Sequence, residues 1–314
     1  MLGKSFLRER KKHMKLIAPD YYSAFTCIAD RCNHSCCIGW EIDIDEETLE
    51  TYRSVDGDFG KRLRDGIMEE DGTAHFQLCE NERCPFLNER GLCDIILTLG
   101  EDALSQICTD HPRFCSFFGN RTEIGLGLCC EEVCRLILSQ KEKTELVILE
   151  DDGEDDELTQ EETDLLIFRE KLLALAQNRE KTLDARMADM LSFAGEKLPE
   201  KSISEWIDFY LGLERMDAAW TTLLEKARNS SIHTRFLDEI PFEQLLVYFI
   251  CRHLSDVDRR AGAVSFAVLS VKMIRFLCEA TAADRESMIE ICRLYSSEIE
   301  YSEENTEILK SKIK

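Results

Sequence analysis

Twelve of the chain's 15 cysteines fall between Cys27 and Cys134, and only Cys251, Cys278 and Cys292 lie beyond. Thiols at this density either pair as disulfides in an oxidising compartment or ligate metal in a reducing one. Residues 1–15, MLGKSFLRERKKHMK, are basic without a following apolar core or small-residue cleavage site. The sequence therefore predicts a cytoplasmic protein whose thiols are available to a metal ion or an iron–sulfur cluster. The opening cluster, Cys27-Ile-Ala-Asp-Arg-Cys32-Asn-His-Ser-Cys36-Cys37, puts four thiols in eleven residues. Such a loop can converge on one centre without long-range closure entropy. A second group holds Cys79, Cys84, Cys93, Cys108 and Cys115, and a third Cys129, Cys130 and Cys134. Four thiolates complete one structural zinc site or one cubane cluster, so either two centres exist or several thiols are bystanders. Cys251, Cys278 and Cys292 read as small buried hydrophobes.

Charge limits the partners. The chain carries 62 Asp and Glu against 39 Lys and Arg, a formal charge of −23, and a field of that sign repels phosphate backbones, so nucleic acid is not expected. The most apolar late stretch, residues 263–280, contains Lys272 and Arg275 and makes no candidate for a span of about 20 uninterrupted apolar residues. No membrane anchor is expected. Residues 141–164 hold two basic and twelve acidic side chains, which reads as a solvated linker. The predicted organisation is a cysteine-rich metal- or iron–sulfur-binding domain over 1–140, an acidic linker over 141–164 and a helical domain over 165–314. The fold class is mainly α: an irregular cysteine-rich N-terminal part with short strands, followed by an all-helical C-terminal part.

Local patterns place the elements. Residues 40–44 alternate like a short strand, after which Asp45 reads as the N-cap of a helix over 46–53. Helical spacing recurs over 99–108, 130–139, 165–177, 206–213 and 245–254, the last with Leu245, Leu246, Phe249, Ile250 and His253 on one side. Trp206, Trp220 and Met273 read as packing, and His233 and His253 as ordinary histidines. His34 and His111 read as hydrogen-bonding neighbours of cysteines rather than ligands, and Arg113 as a salt-bridge partner. A radical-enzyme loop spaced C-x3-C-x2-C fails, since Gly39 stands where its third cysteine belongs. Gly125-Leu-Gly127 lacks the third glycine of a dinucleotide fingerprint and reads as strand or turn. No P-loop, nucleophile-elbow serine or HExxH motif is present.

Three ordered motifs remain. The first is Phe25-Thr-Cys27, Cys32, Cys36-Cys37-Ile-Gly39-Trp40, then Ile42-Asp43-Ile44 and Tyr52. The second runs Cys84-Pro85-Phe86-Leu87, Gly91-Leu92-Cys93-Asp94-Ile95, Leu99-Gly100-Glu101 with Leu104-Ser105, and Cys108 before Pro112-Arg113. The third is Cys129-Cys130-Glu131-Glu132 before Arg135-Leu136. In this order they resemble the flagellin lysine N-methylases, within a broader group of cysteine-rich zinc- or iron-chelating proteins. The third motif departs from the family pattern, with Cys129 for Ser, Glu131 for Pro and Cys134 as an additional thiol, and the chain is short for the family. The resemblance covers residues 21–140. It implies methyl transfer from S-adenosylmethionine to lysine amines of flagellin, by an enzyme carrying an iron–sulfur cluster of the 4Fe–4S type, with zinc as the alternative. The family-matching metal ligands are Cys27, Cys32, Cys36, Cys37, Cys84, Cys93, Cys108 and Cys130. A non-catalytic protein whose zinc or iron is structural, and whose helical part binds a partner, is the alternative function.

Overall fold

The computed structural model describes residues 15–153, 156–230, 238–258 and 260–313. His233 and the leader expectation on residues 1–14 fall outside them. The early elements are β1 (Lys15–Pro19), β2 (Asp43–Ile44), α1 (Glu46–Ser54), α2 (Gly57–Asp65), β3 (Ile67–Glu70) and β4 (Thr73–Phe76). There follow α3 (Asp94–Leu99), α4 (Gln106–Asp110), β5 (Arg113–Phe118), β6 (Arg121–Leu126), α5 (Glu131–Ser139) and β7 (Leu146–Glu150). From there the described chain is helical: α6 (Gln160–Ala176), α7 (Leu183–Ala194), α8 (Ile203–Leu211), α9 (Ala218–Arg228), α10 (Ile240–His253), α11 (Ala263–Thr281), α12 (Arg285–Tyr295), a π turn (Ser296–Glu300) and α13 (Glu303–Lys312). This is the mainly α class expected, with the strands confined to the first half.

Two compact units form, one from Thr26–Arg113 and the other from residues 15–25 with 114–313. In the first, β4 lies between β2 and β3 in an antiparallel sheet, with Ile44 opposite Ala74 and Ile67 opposite Phe76. Its core gathers Ile42, Ile44, Tyr52, Leu63, Phe76, Phe86 and Ile95. Asp45 is the N-cap of α1, accepting from Thr48 N, as an oxygen-bearing side chain before a helix should. The helix expected over 99–108 is instead two short ones, because Gly100 adopts φ 92°, which only glycine takes without strain, and the chain turns there.

In the second unit the sheet order is β5-β6-β1-β7, with β1 parallel to β6 and antiparallel to β7. The segment expected as an acidic linker thus supplies the edge strand β7, and α6 begins within it. Its Leu146-Val147-Ile148-Leu149 run pairs with β1, which local charge counting hides. The helices start where polar caps dictate: Thr159 and Ser202 form capping boxes with Glu162 and Glu205, and Thr182, Asp217, Asp284 and Ser302 cap α7, α9, α12 and α13. α10 is buried on every side from Phe242 to Ile250, since α5, α6 and α11 all pack on it. Trp206, Trp220 and Met273 are core side chains, and Cys278 and Cys292 are buried among them.

Candidate metal centre

The sequence-predicted ligands separate into three groups. Cys27 and Cys36 are exposed and Cys32 is half-buried, all on the loop before β2. Cys32 Sγ donates to the His34 carbonyl at 2.8 Å and Cys27 Sγ accepts from Ala29 N at 3.4 Å. His34 is itself exposed. Cys130 belongs to the other unit, where it is the N-cap of α5. Cys37, Cys84, Cys93 and Cys108, by contrast, gather around the apolar core of residues 26–113.

Local geometry explains that convergence. Cys84 N donates to the Cys37 carbonyl at 2.8 Å, and Ile38 pairs with Arg83, so the first and second motifs are laced by backbone bonds. Arg83 donates to the Leu87 and Asn88 carbonyls, closing the loop that runs from Cys84 to Cys93. Asn88 holds the other end, accepting from Arg90 N and Leu92 N and donating to Asp94 Oδ1 at 2.9 Å. Leu87 pairs with Cys93, which then starts α3, while Cys108 rides on α4. A short polar loop with every end tied is the kind of support a metal-binding site requires.

The electrostatics bind the four together. Burial pushes the Cys84 thiol up to about 12, against a bond from the Phe86 backbone, and Cys37, Cys108 and Cys93 each raise it further. Burial likewise pushes Cys108 up to about 11, opposed by Ser105, with Cys37 and Cys93 adding to the rise, and it raises Cys93. Cys37 alone moves down, to about 7: a bond from Cys36 outweighs its burial, helped by Ser35 and the Arg83 charge. Three desolvated thiols and a fourth whose pKa is lowered to about 7, which repel one another when ionised, are a set that a soft cation would relieve by displacing their protons. The donors fit a four-thiolate centre in kind and number. Among the described residues no group of three or more His, Cys, Asp or Glu side chains is arranged to hold a metal ion, so the thiols line one apolar core without forming a closed coordination shell. His111 stacks on Trp40 with ring centroids 6.2 Å apart, and burial, with Arg113 nearby, lowers it to about 4. It is a neutral packing partner. Arg113 donates to the Thr109 carbonyl at 3.4 Å.

The second unit holds a polar cluster that sequence reasoning passed over. Glu300, whose side chain is fully buried, forms an ion pair with Arg252 Nε at 3.0 Å, accepts from Tyr248 Oη at 3.1 Å, and pairs with His253 Nε2 at 2.7 Å. Tyr248 Oη also accepts from Leu128 N at 3.2 Å, docking the third motif on α10. Burial opposes the charge on Glu300, yet Arg252 and His253 hold its carboxyl below the usual range. The only sequence signal was an Arg-His pair closing an otherwise apolar helix.

Residues 222–314 match the FliB lysine N-methylase C-terminal domain. The flagellar biosynthetic protein FliU of Salmonella muenchen is 31% identical over 134 residues, covering 41% of this chain and 79% of that protein. Lysine-N-methylases of Salmonella typhimurium and Salmonella choleraesuis are 31% identical over 134 residues, again 41% of this chain but 33% of theirs. The chain thus spans about a third of the length of these two enzymes. No solved structure matches. Ordered cysteine motifs at one end, a methylase C-terminal domain at the other and a relative matched over most of its length together place this chain in the flagellin lysine N-methylase family.

Proposed function

We propose that the protein transfers methyl groups from S-adenosylmethionine to lysine amines of flagellin in the cytoplasm. The observation that carries this reading is the match to the Salmonella enzymes named Lysine-N-methylase, supported by the C-terminal domain over 222–314. In the reaction the lysine nitrogen, once deprotonated, attacks the sulfonium methyl. A nitrogen–carbon bond forms, the sulfur–carbon bond breaks to leave a neutral thioether, and one proton leaves the ammonium. The net charge of −23 attracts a cationic lysine side chain to the surface.

Cys37, Cys84, Cys93 and Cys108 are the residues of this chain that would hold an iron–sulfur cluster. Such a group, when bound, supplies an electron-transfer centre and cross-links the loops that carry its ligands. The chain's own contribution is to hold those thiols around one apolar core, with Arg83 tying the Cys84 to Cys93 loop.

Two measurements test the reading. Anaerobically purified protein is assayed for iron, zinc, acid-labile sulfide and absorbance near 400 nm. The same sample is incubated with flagellin and S-adenosylmethionine carrying an isotope-labelled methyl, and flagellin peptides are mapped by mass spectrometry. Iron with matching sulfide and label on flagellin lysines are expected. Zinc without sulfide, with no label transferred, would favour the non-catalytic metal protein.

A further inference from the structure

Arg252 has an unfilled edge. Its Nε forms an ion pair with the Glu300 carboxylate at 3.0 Å, and its guanidinium lies against the Phe114 ring at 4.6 Å and the Tyr301 ring at 4.9 Å from the centroids. Aromatic faces cover the plane of a guanidinium and leave its in-plane donors unsatisfied. Arg252 Nη1 is buried with no hydrogen-bond partner, an uncommon state for a buried donor. The site is not sealed, because the Arg252 side chain keeps 14% of its exposure and Tyr301 keeps 44%.

The surroundings select the ligand. Glu300 cancels the Arg252 charge, so the open edge suits a single negative charge better than a phosphate dianion. The two remaining planar donors of a guanidinium match the two oxygens of a carboxylate. Tyr301 interacts with Cys129 and presents an exposed aromatic face beside that edge. The π turn Ser296–Glu300 sets this arrangement, turning Glu300 inward while the next residue, Tyr301, reaches solvent. Single π turns of this kind recur at functional sites.

We propose that Arg252, flanked by Tyr301, binds the carboxylate of a small amino-acid-type ligand. Resting on the methyl-transfer reading, that ligand is the methyl donor, bound through its amino-acid end.

The test uses the full-length chain and calorimetric titration with two probes. S-adenosylhomocysteine carries the amino-acid end, whereas 5′-methylthioadenosine keeps the nucleoside and thioether without it. Wild-type protein is expected to bind the first at least about tenfold more tightly. Arg252→Lys keeps the charge opposite Glu300 but loses the planar fork, and it should shrink the preference to about twofold or less. The isoelectric pair Arg252→Gln with Glu300→Gln should do the same, and thermal melts establish that each variant is folded. If either folded variant keeps the full preference, the carboxylate site is wrong while the methyl-donor reading stands. If wild-type protein binds neither probe, the methyl-donor reading fails and takes this assignment with it.

Discussion

Asp45 and Gln106, 61 residues apart, are joined by one carboxylate oxygen: Asp45 Oδ2 accepts from Gln106 N at 2.8 Å, while Oδ1 accepts from Thr48 N at 3.0 Å. One side chain therefore caps both α1 and α4, the helix that carries Cys108. Asp45→Ala should destabilise the unit by about 1–3 kcal/mol, as expected for losing two caps, measured by urea unfolding at neutral pH. Burial opposes the charge, but the bonds from Gln106 and Thr48 outweigh it and hold the carboxyl below the ordinary aspartate value. The stabilisation is thus complete above about pH 4 and is lost as pH falls through the lower folded pKa. Asp45→Asn should flatten that acid limb, and an unchanged limb would show that other carboxylates set it.

Substituting the pocket thiols should separate them from the rest. Cys84→Ser and Cys93→Ser are expected to lose bound metal, and Cys278→Ser, in the core of the other unit, to retain it. Because Cys84, Cys93 and Cys108 are raised and Cys37 lies at about 7, loading the site above neutral pH should expel about three protons per centre. Affinity should therefore fall as pH falls. Calorimetry in buffers of different ionisation enthalpy counts these protons, and a release of fewer than about one would remove the four-thiol assignment.

Glu243 is fully buried and accepts from Arg186 Nη1 at 2.6 Å and Arg179 Nη2 at 2.9 Å, linking α7 to α10. Glu243→Gln should cost about 3–5 kcal/mol, because it leaves a buried guanidinium short of its counter-charge. Pairing it with Arg186→Met should recover most of the loss. Thermal melts of the single and double variants decide this, and equal melting points for the two would refute it.

Gly125 is required by a close approach. A Cβ there would lie 2.3 Å from Phe114 Cζ, and that ring is held against Arg252 and Tyr248. Gly125→Ala should destabilise by about 1–3 kcal/mol, in the range of overpacked cores, and Phe114→Leu in the same chain should relieve it. Chemical denaturation of the three variants provides the comparison.

What could be read in advance was local. Asp45 before Glu46-Glu47 announces a helix start, and the 3.6-residue spacing of the later segments announces α6, α8 and α10. What escaped was tertiary. Leu146–Leu149 looked like part of a charged linker because its partner β1 lies more than a hundred residues away. The densest thiol loop, Cys27 to Cys36, is the strongest local signal, yet the thiols that line one apolar core are Cys37 from the first motif and Cys84, Cys93 and Cys108 from the second, a joining of two motifs that no local pattern shows. Glu300 sits in Ser296-Ser-Glu298-Ile-Glu300, a run that looks solvent-facing until the π turn carries it inward.

The position of β1 has a consequence for synthesis. β1 is made before any residue of the unit Thr26–Arg113, but its partners β6 and β7 are made after that unit is complete. On the ribosome, this strand must wait for its partners through the translation of the 88 residues of that unit. Vectorial synthesis thus leaves the nascent Leu16-Ile17-Ala18 edge open to aggregation until β6 and β7 close the sheet, and slow elongation would lengthen that exposure.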